Sequence, residues 1–229
     1  MQDCGKNFKI FMKIRHRGYD IIFAQFLTVV LHPLLVPLYS ILILYLCKSA
    51  ARFQLSHYPA LQIFLPLIIF TIVLPGGFVL ILQHMGKISS MYLHKRIERE
   101  GPLIFTAASA LLLDIVYIFI APNPFLLTIP IALLMSLFMA WIINKFWKIS
   151  IHLTGLGGLS SIIIFVIWPQ KSILPYIILI LIVAGILLGW ARWRLKAHTF
   201  LQVIMGWMNG FVATMFCLMF FPKIFSSFT

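Results

Sequence analysis

Seven runs of apolar residues, at 21–47, 61–84, 102–121, 124–145, 151–168, 172–190 and 198–221, follow one another with only short polar breaks between them. A helix needs about 20 such residues to cross the hydrocarbon core of a bilayer. Backbone N–H and C=O groups cannot be left unpaired in hydrocarbon, so each run must close its hydrogen bonds internally or join a closed barrel. No ten-residue alternation of apolar and polar residues recurs, which disfavours a barrel. The expected fold is therefore all-α, a polytopic transmembrane helical bundle of about six to seven spans, six if one run is re-entrant.

Composition agrees, since 62% hydrophobic residues, 10% charged residues and a mean hydropathy of +1.04 do not suit a water-soluble core. The first run is too long for a signal-peptide core and no small-residue cleavage pattern follows it, so 21–47 is expected as a retained span. Residues 1–229 then form a single integral membrane domain, with 1–20 as a basic N-terminal segment. Cys4, Cys47 and Cys217 lie far apart, with neither metal-ligand nor disulfide-framework spacing, and no metal or cofactor is expected. The formal net charge of +13 points to anionic lipid headgroups rather than nucleic acid. Oligomeric state is not legible in the chain.

The cations are unevenly placed. Alternating the spans puts 1–20, 85–101, 146–150 and 191–197 on one side, where, counting Lys145 at the adjoining end of the run 124–145, 14 of the 18 Lys and Arg residues fall, against 4 on the other. The positive-inside rule makes the richer side cytoplasmic, as in a bacterial inner membrane. Three breaks on that side carry dense charge: Lys95/Arg96/Arg99; Lys148 beside Ser150 and His152; and Arg192/Arg194/Lys196 before His198. Setting the seven break cations aside leaves 7 against 4, because groups that hold a phosphate bias the same count.

Each break directly precedes an apolar run. Exposed N–H groups and the positive end of the macrodipole at a helix start favour an anion, and Arg or Lys adds charge-assisted bonds to phosphate oxygens. Converging helix starts with these cations predict a phosphate site. Taken singly, each break also fits an ordinary interfacial anchor.

The wording of the breaks adds a resemblance. Ala-Arg-Trp-Arg-Leu-Lys-Ala-His-Thr-Phe-Leu-Gln at 191–202 resembles the third signature of the type-2 phosphatidic acid phosphatase superfamily, Ser-Arg, five residues, His, three residues, Asp, with Arg192 and His198 on its Arg and His. Lys-Ile-Ser-Ile-His at 148–152 is similar to the second signature, Pro-Ser-Gly-His, through Ser150 and His152 but without the Pro and Gly. Lys95 to Pro102 loosely matches the first signature, with altered spacing. The likeness covers a phosphatase-like core at 85–221, whose wording is similar to divergent bacterial and archaeal members.

The resemblance implies a membrane lipid phosphatase acting on a phosphomonoester or diphosphate, polyprenyl or phosphatidic-acid-like, without metal. By the same resemblance His198 is the nucleophile that becomes phosphohistidine and His152 the general acid. Ser150 and Arg192 hold phosphate oxygens, joined by Lys148 and by candidates Lys95, Arg96 and Arg99, of which Arg99 lies nearest the helix start. The partners implied are the lipid phosphate substrate and anionic lipids. The chain departs from the family at Gln202, where an Asp is expected. One helical turn after His198, Gln202 still shares its face and can accept the imidazole N–H, yet supplies no negative charge. Loss of a triad carboxylate costs on the order of 10⁴ in rate elsewhere. Gln202 therefore permits a slow enzyme, a differently wired one, or an inactive phosphatase-like protein that binds anionic lipid or scaffolds a partner.

Asp114 falls within a span, about 18 Å past Pro102 at helical rise, and reads either as functional or as bonded to a neighbouring Ser, Tyr or Asn. His32-Pro33 with Pro37, and Pro75-Gly76-Gly77, read as kinks. Gly185/Gly189, Gly206/Gly210 and Gly155/Gly157/Gly158 read as close helix contacts, with admission of a lipid chain as the alternative for the last set. Trp147, Trp168, Trp190 and Trp193 mark interfacial belts.

Overall fold

A computed structural model describes residues 18–46, 55–90, 93 and 95–226, the side chains to 221. Lys6, Lys9, Lys13, Arg15 and Arg17 of the basic N-terminal segment, with Cys4, Cys47, Lys48, Arg52 and the side chain of Lys223, lie outside the described residues. Seven helices follow in order: α1 (Gly18–Leu46), α2 (Ala60–His84), α3 (Glu100–Ile120), α4 (Pro124–Phe146), α5 (Ile151–Ile167), α6 (Leu174–Arg194) and α7 (Phe200–Ser226). Among the described residues there is no strand, and six helices are long and apolar enough to cross a membrane. The chain is an integral membrane protein of the expected all-α polytopic class. The remaining helix, α5, has 17 residues, at the short limit for a span.

Two helices are broken where proline withdraws a backbone donor. In α1 a 3₁₀ turn at Pro33–Leu35 follows His32, whose Nδ1 accepts from Leu34 N–H at 3.3 Å. In α2, between Pro66 and Pro75, the chain relaxes into a π turn at Ile69–Val73, closed by Leu74 N–H to the Ile69 carbonyl. Ser109 on α3 donates to the Phe70 carbonyl of that turn at 2.5 Å, so a polar side chain attends the irregular backbone.

Small residues decide which helices meet most closely. Lipid is as apolar as leucine, so helices associate by tight packing rather than by expulsion of water. α5 makes its most extensive contact with α7. A Cβ on Gly157 would run into the Trp207 carbonyl, and one on Gly210 into the Thr154 carbonyl. A Cβ on Gly206 would lie 2.5 Å from the Ser150 carbonyl oxygen. Gly155 packs against α1, where its Cβ would meet Val36 and Pro33 at 3.0 and 3.2 Å. α5 is therefore buried in the middle of the bundle, and Gly155, Gly157 and Gly158 serve packing. Gly185 differs: a Cβ there meets nothing within 4 Å, so it is not a contact position.

An apolar core of Ile41, Leu44, Ile63, Leu113, Tyr117 and Leu126, continued by Ile162 and Leu218, closes one end of the bundle. The three basic breaks lie at the other end, stitched together through the backbone. Arg99 donates to the Ile149 carbonyl at 3.0 Å, Lys148 to the Ala197 carbonyl at 3.0 Å, and Ser150 N–H to the Gln202 carbonyl at 3.2 Å. The breaks thus share one face, as the alternation of spans requires.

Candidate functional site

His198 sits in a five-residue connection, 195–199, defined at both ends by local sequence. α6 ends in a Schellman motif, with Ala197 N–H to the Arg192 carbonyl and Lys196 N–H to the Trp193 carbonyl. Lys196 takes the left-handed conformation at φ 53° where glycine is usual. α7 opens with a capping box. Thr199 Oγ1 accepts from Gln202 N–H at 3.5 Å, and Gln202 Oε1 accepts from Thr199 N–H at 3.1 Å. This places Arg192 and Arg194 inside the last turn of α6 rather than in a loop opening the next helix, because the helix continues until the left-handed turn stops it. Arg194 reaches Asp20 at the start of α1 at 4.0 Å.

The capping box also fixes the histidine tautomer. Gln202 Oε1 lies 3.2 Å from His198 Nδ1. A backbone N–H can only donate, so the bond from Thr199 identifies this Gln202 atom as the oxygen, and His198 Nδ1 must then carry the proton. The lone pair is left on Nε2, which is buried with no hydrogen-bond partner among the described residues. An Asp would set the same tautomer and add charge. Gln202 sets it without charge.

Ser150 occupies the N-cap of α5 with extended backbone, but its hydroxyl makes no capping bond. A capping serine is worth about 1 kcal/mol to its helix, and here that contribution is forgone. Ser150 Oγ is buried and without a partner among the described residues, as is His152 Nε2. Three unsatisfied polar atoms of Ser150, His152 and His198 are therefore held where α5 and α7 begin, on two helices locked together by Gly206.

Cations surround them. Arg99, Arg192 and His198 are 6%, 4% and 6% exposed, an uncommon degree of burial for arginine. Arg99 is fixed by its Nε bond to the Leu93 carbonyl at 2.9 Å as well as by Ile149. Burial pushes the His198 imidazole down to about 3, with Arg99, Arg192 and Lys148 acting in the same direction and the Gln202 bond opposing them. Burial, then Arg99 and Arg192, lower Lys148 too. Arg192, His32, His198 and Arg99 all lie within electrostatic reach of His152.

Two expected phosphate ligands are turned elsewhere. Lys95 is exposed and pairs with Glu98 at 3.6 Å. Arg96 donates to the Lys145 carbonyl, while its own carbonyl accepts from Asn144 at 3.3 Å, so it braces the start of α3 against the end of α4. Only Arg99 falls on the inward side of the 3₁₀ turn at Ile97–Arg99, where it is buried.

His32 was legible only as a kink, yet its ring meets that of His152 edge-on, with centroids 5.2 Å apart at 83°. No local pattern links residues 120 positions apart. The Thr-x-x-Gln capping box was written in the sequence at 199–202 and is the signal that accounts for Gln202. Asp114 is buried, and neither of its oxygens has a hydrogen-bond partner among the described residues, so the expected bond to a neighbouring Ser, Tyr or Asn is not made. Among the described residues no three His, Cys, Asp or Glu side chains gather as a metal site. No protein-family model, no curated protein and no solved structure matches the chain.

Proposed function

We propose that this protein is a membrane lipid phosphatase that hydrolyses a phosphomonoester or diphosphate through a phosphohistidine on His198. One observation carries the reading: Ser150 Oγ, His152 Nε2 and His198 Nε2, all buried and without a hydrogen-bond partner among the described residues, lie where α5 and α7 begin, with Arg99, Arg192 and Lys148 within electrostatic reach of His198. Like charges gathered out of water are costly unless an anion joins them. A phosphate monoester is such an anion, and its oxygens accept from the guanidinium and ammonium groups and from the serine hydroxyl.

The chemistry follows from the tautomer. Nε2 of neutral His198 attacks phosphorus, forming the N–P bond as the bond from phosphorus to the lipid oxygen breaks. His152, which takes a proton from water as the anion's charge favours the imidazolium, gives its Nε2 proton to the departing oxygen. Water then attacks phosphorus with His152 as base, releasing phosphate and restoring His198. Arg99, Arg192 and Lys148 stabilise the charge on the equatorial oxygens throughout. The cluster lies at one membrane face, assigned to the cytoplasmic side of a bacterial inner membrane by the charge distribution, where a lipid presents its headgroup.

The test is phosphate release by the purified protein in micelles containing polyprenyl phosphate, polyprenyl diphosphate or phosphatidic acid. Release that survives His198→Ala removes the phosphohistidine step. Gln202 motivates a second reading, a phosphatase-like protein that binds anionic lipid without turning it over. Silence in the native protein together with release in Gln202→Asp selects that reading.

A further inference from the structure

An apolar groove of about 770 Å³ runs between α5, α6 and α7. Its walls include Leu153 on α5, Ile178, Ile182 and Gly185 on α6, and Val203 and Trp207 on α7. On α6 and α7 these recur at three- and four-residue intervals, so each helix contributes one continuous stripe. The lining residue of α6 nearest the basic breaks is Trp193, next to Arg192, and that of α7 is Phe200, two residues after His198. Leu153 and Val203 likewise adjoin His152 and Gln202.

Glycine keeps the groove open. Gly185 and Gly189 have the spacing that draws two helices together, but a Cβ on Gly185 meets nothing within 4 Å. The space above Gly185 belongs to the groove, not to a partner helix. From Trp193 to Ile178 the α6 wall extends about 22 Å at helical rise, beyond the roughly 15 Å that is half the hydrocarbon core.

We propose that this groove is the seat of one hydrocarbon chain of the lipid whose phosphate is held by Ser150, His152 and His198. Its headgroup assignment rests on the reading above. Continuity decides the occupant. A chain leaving a phosphate at His198 passes Trp193 and Phe200 directly into the apolar trough, whose lining among the described residues is polar only at the Ser160 hydroxyl, bonded to the Leu156 carbonyl, and at the indole N–H groups of Trp190, Trp193 and Trp207. The length of the α6 wall suits a single chain that reaches past the bilayer midplane.

The test uses a long-chain alkyl phosphate bearing a diazirine near the chain end, beside the corresponding uncharged alcohol, with the full-length protein in nanodiscs. Photolabelling mapped by mass spectrometry is expected on α5, α6 and α7 at the groove. It should depend on the phosphate and fall at least tenfold in Gly185→Leu, which fills the space. Labels scattered over the lipid-facing surface, or equal groove labelling by the alcohol, overturn the proposal, since the crevice then holds bulk lipid. Native labelling is read independently of whether the leucine variant folds. Groove labelling by the phosphate probe without phosphate release from any lipid upholds the chain site and defeats the phosphatase reading. Release with labels elsewhere does the reverse.

Discussion

Gly206→Ala tests whether the site depends on how closely α5 and α7 approach. The added methyl would lie 2.5 Å from the Ser150 carbonyl oxygen and 3.2 Å from its carbon and nitrogen, where ordinary contact begins near 3.4 Å. That backbone cannot swing aside freely. Ser150 N–H is bonded to the Gln202 carbonyl at 3.2 Å, and the Ser150 carbonyl accepts from Thr154 N–H at 2.9 Å. The helices must therefore separate by about 0.9 Å, the difference between contact and clash. Overpacking of this kind costs about 1–3 kcal/mol, and alanine's better helix propensity returns about 1, leaving a net loss of roughly 0–2 kcal/mol. On the proposed phosphatase reading, a misplacement near 1 Å costs catalysis about 100-fold, because Ser150 and His152 move with α5 while His198 moves with α7. The expected outcome is a small drop in melting temperature beside a large drop in phosphate release and in affinity for a non-hydrolysable lipid phosphonate. Gly185→Ala, with nothing near its new methyl, should hold or raise the melting temperature. Gly206→Ala with native stability, release and phosphonate affinity would refute the reasoning.

Acid should destabilise the ligand-free protein through His198. Its folded value near 3 lies below the ordinary value of 6.5, so the unfolded chain binds the extra proton between them. Stability is then full above about pH 6.5 and declines as pH falls toward 3; melting curves across that range should flatten in His198→Asn, and parallel curves would contradict the assignment. Ser150→Ala should leave the melting temperature unchanged or slightly higher, because the hydroxyl has no partner to lose, while weakening phosphonate affinity about tenfold in a calorimetric titration. Arg99→Ala strips donors from the Leu93 and Ile149 carbonyls and should lower stability by about 2–4 kcal/mol in denaturant titration, an effect that an unchanged midpoint would disprove.

The spans were legible because hydrocarbon enforces them: the run expected at 124–145 is the helix Pro124–Phe146, and that expected at 151–168 is Ile151–Ile167. Local chemistry at 192–202 was equally open to reading, since Thr199 and Gln202 carry a capping signature within one helical turn. The grouping of Ser150, His152, Arg192 and His198 was expected from the order of the polar breaks. The approach of Ser150 and His152 to His198 depends on Gly206 and Gly210 meeting the backbone of α5, a pairing between segments about 50 residues apart.

What the sequence determined by itself was the set of helices and the face that carries the charge, because each follows from the hydropathy of contiguous residues, whereas the end of α6 was set by the left-handed turn at Lys196. Only the tertiary structure decided that Lys95 and Arg96 turn away while Arg99 turns inward, that His32 from α1 lies against His152, and that Gly185 opens a groove where Gly206 closes a contact. The physical reason is that a glycine or a cation carries the same local signal at either kind of place. Which neighbour lies across from it is fixed by helix packing, and packing joins residues that the chain keeps far apart.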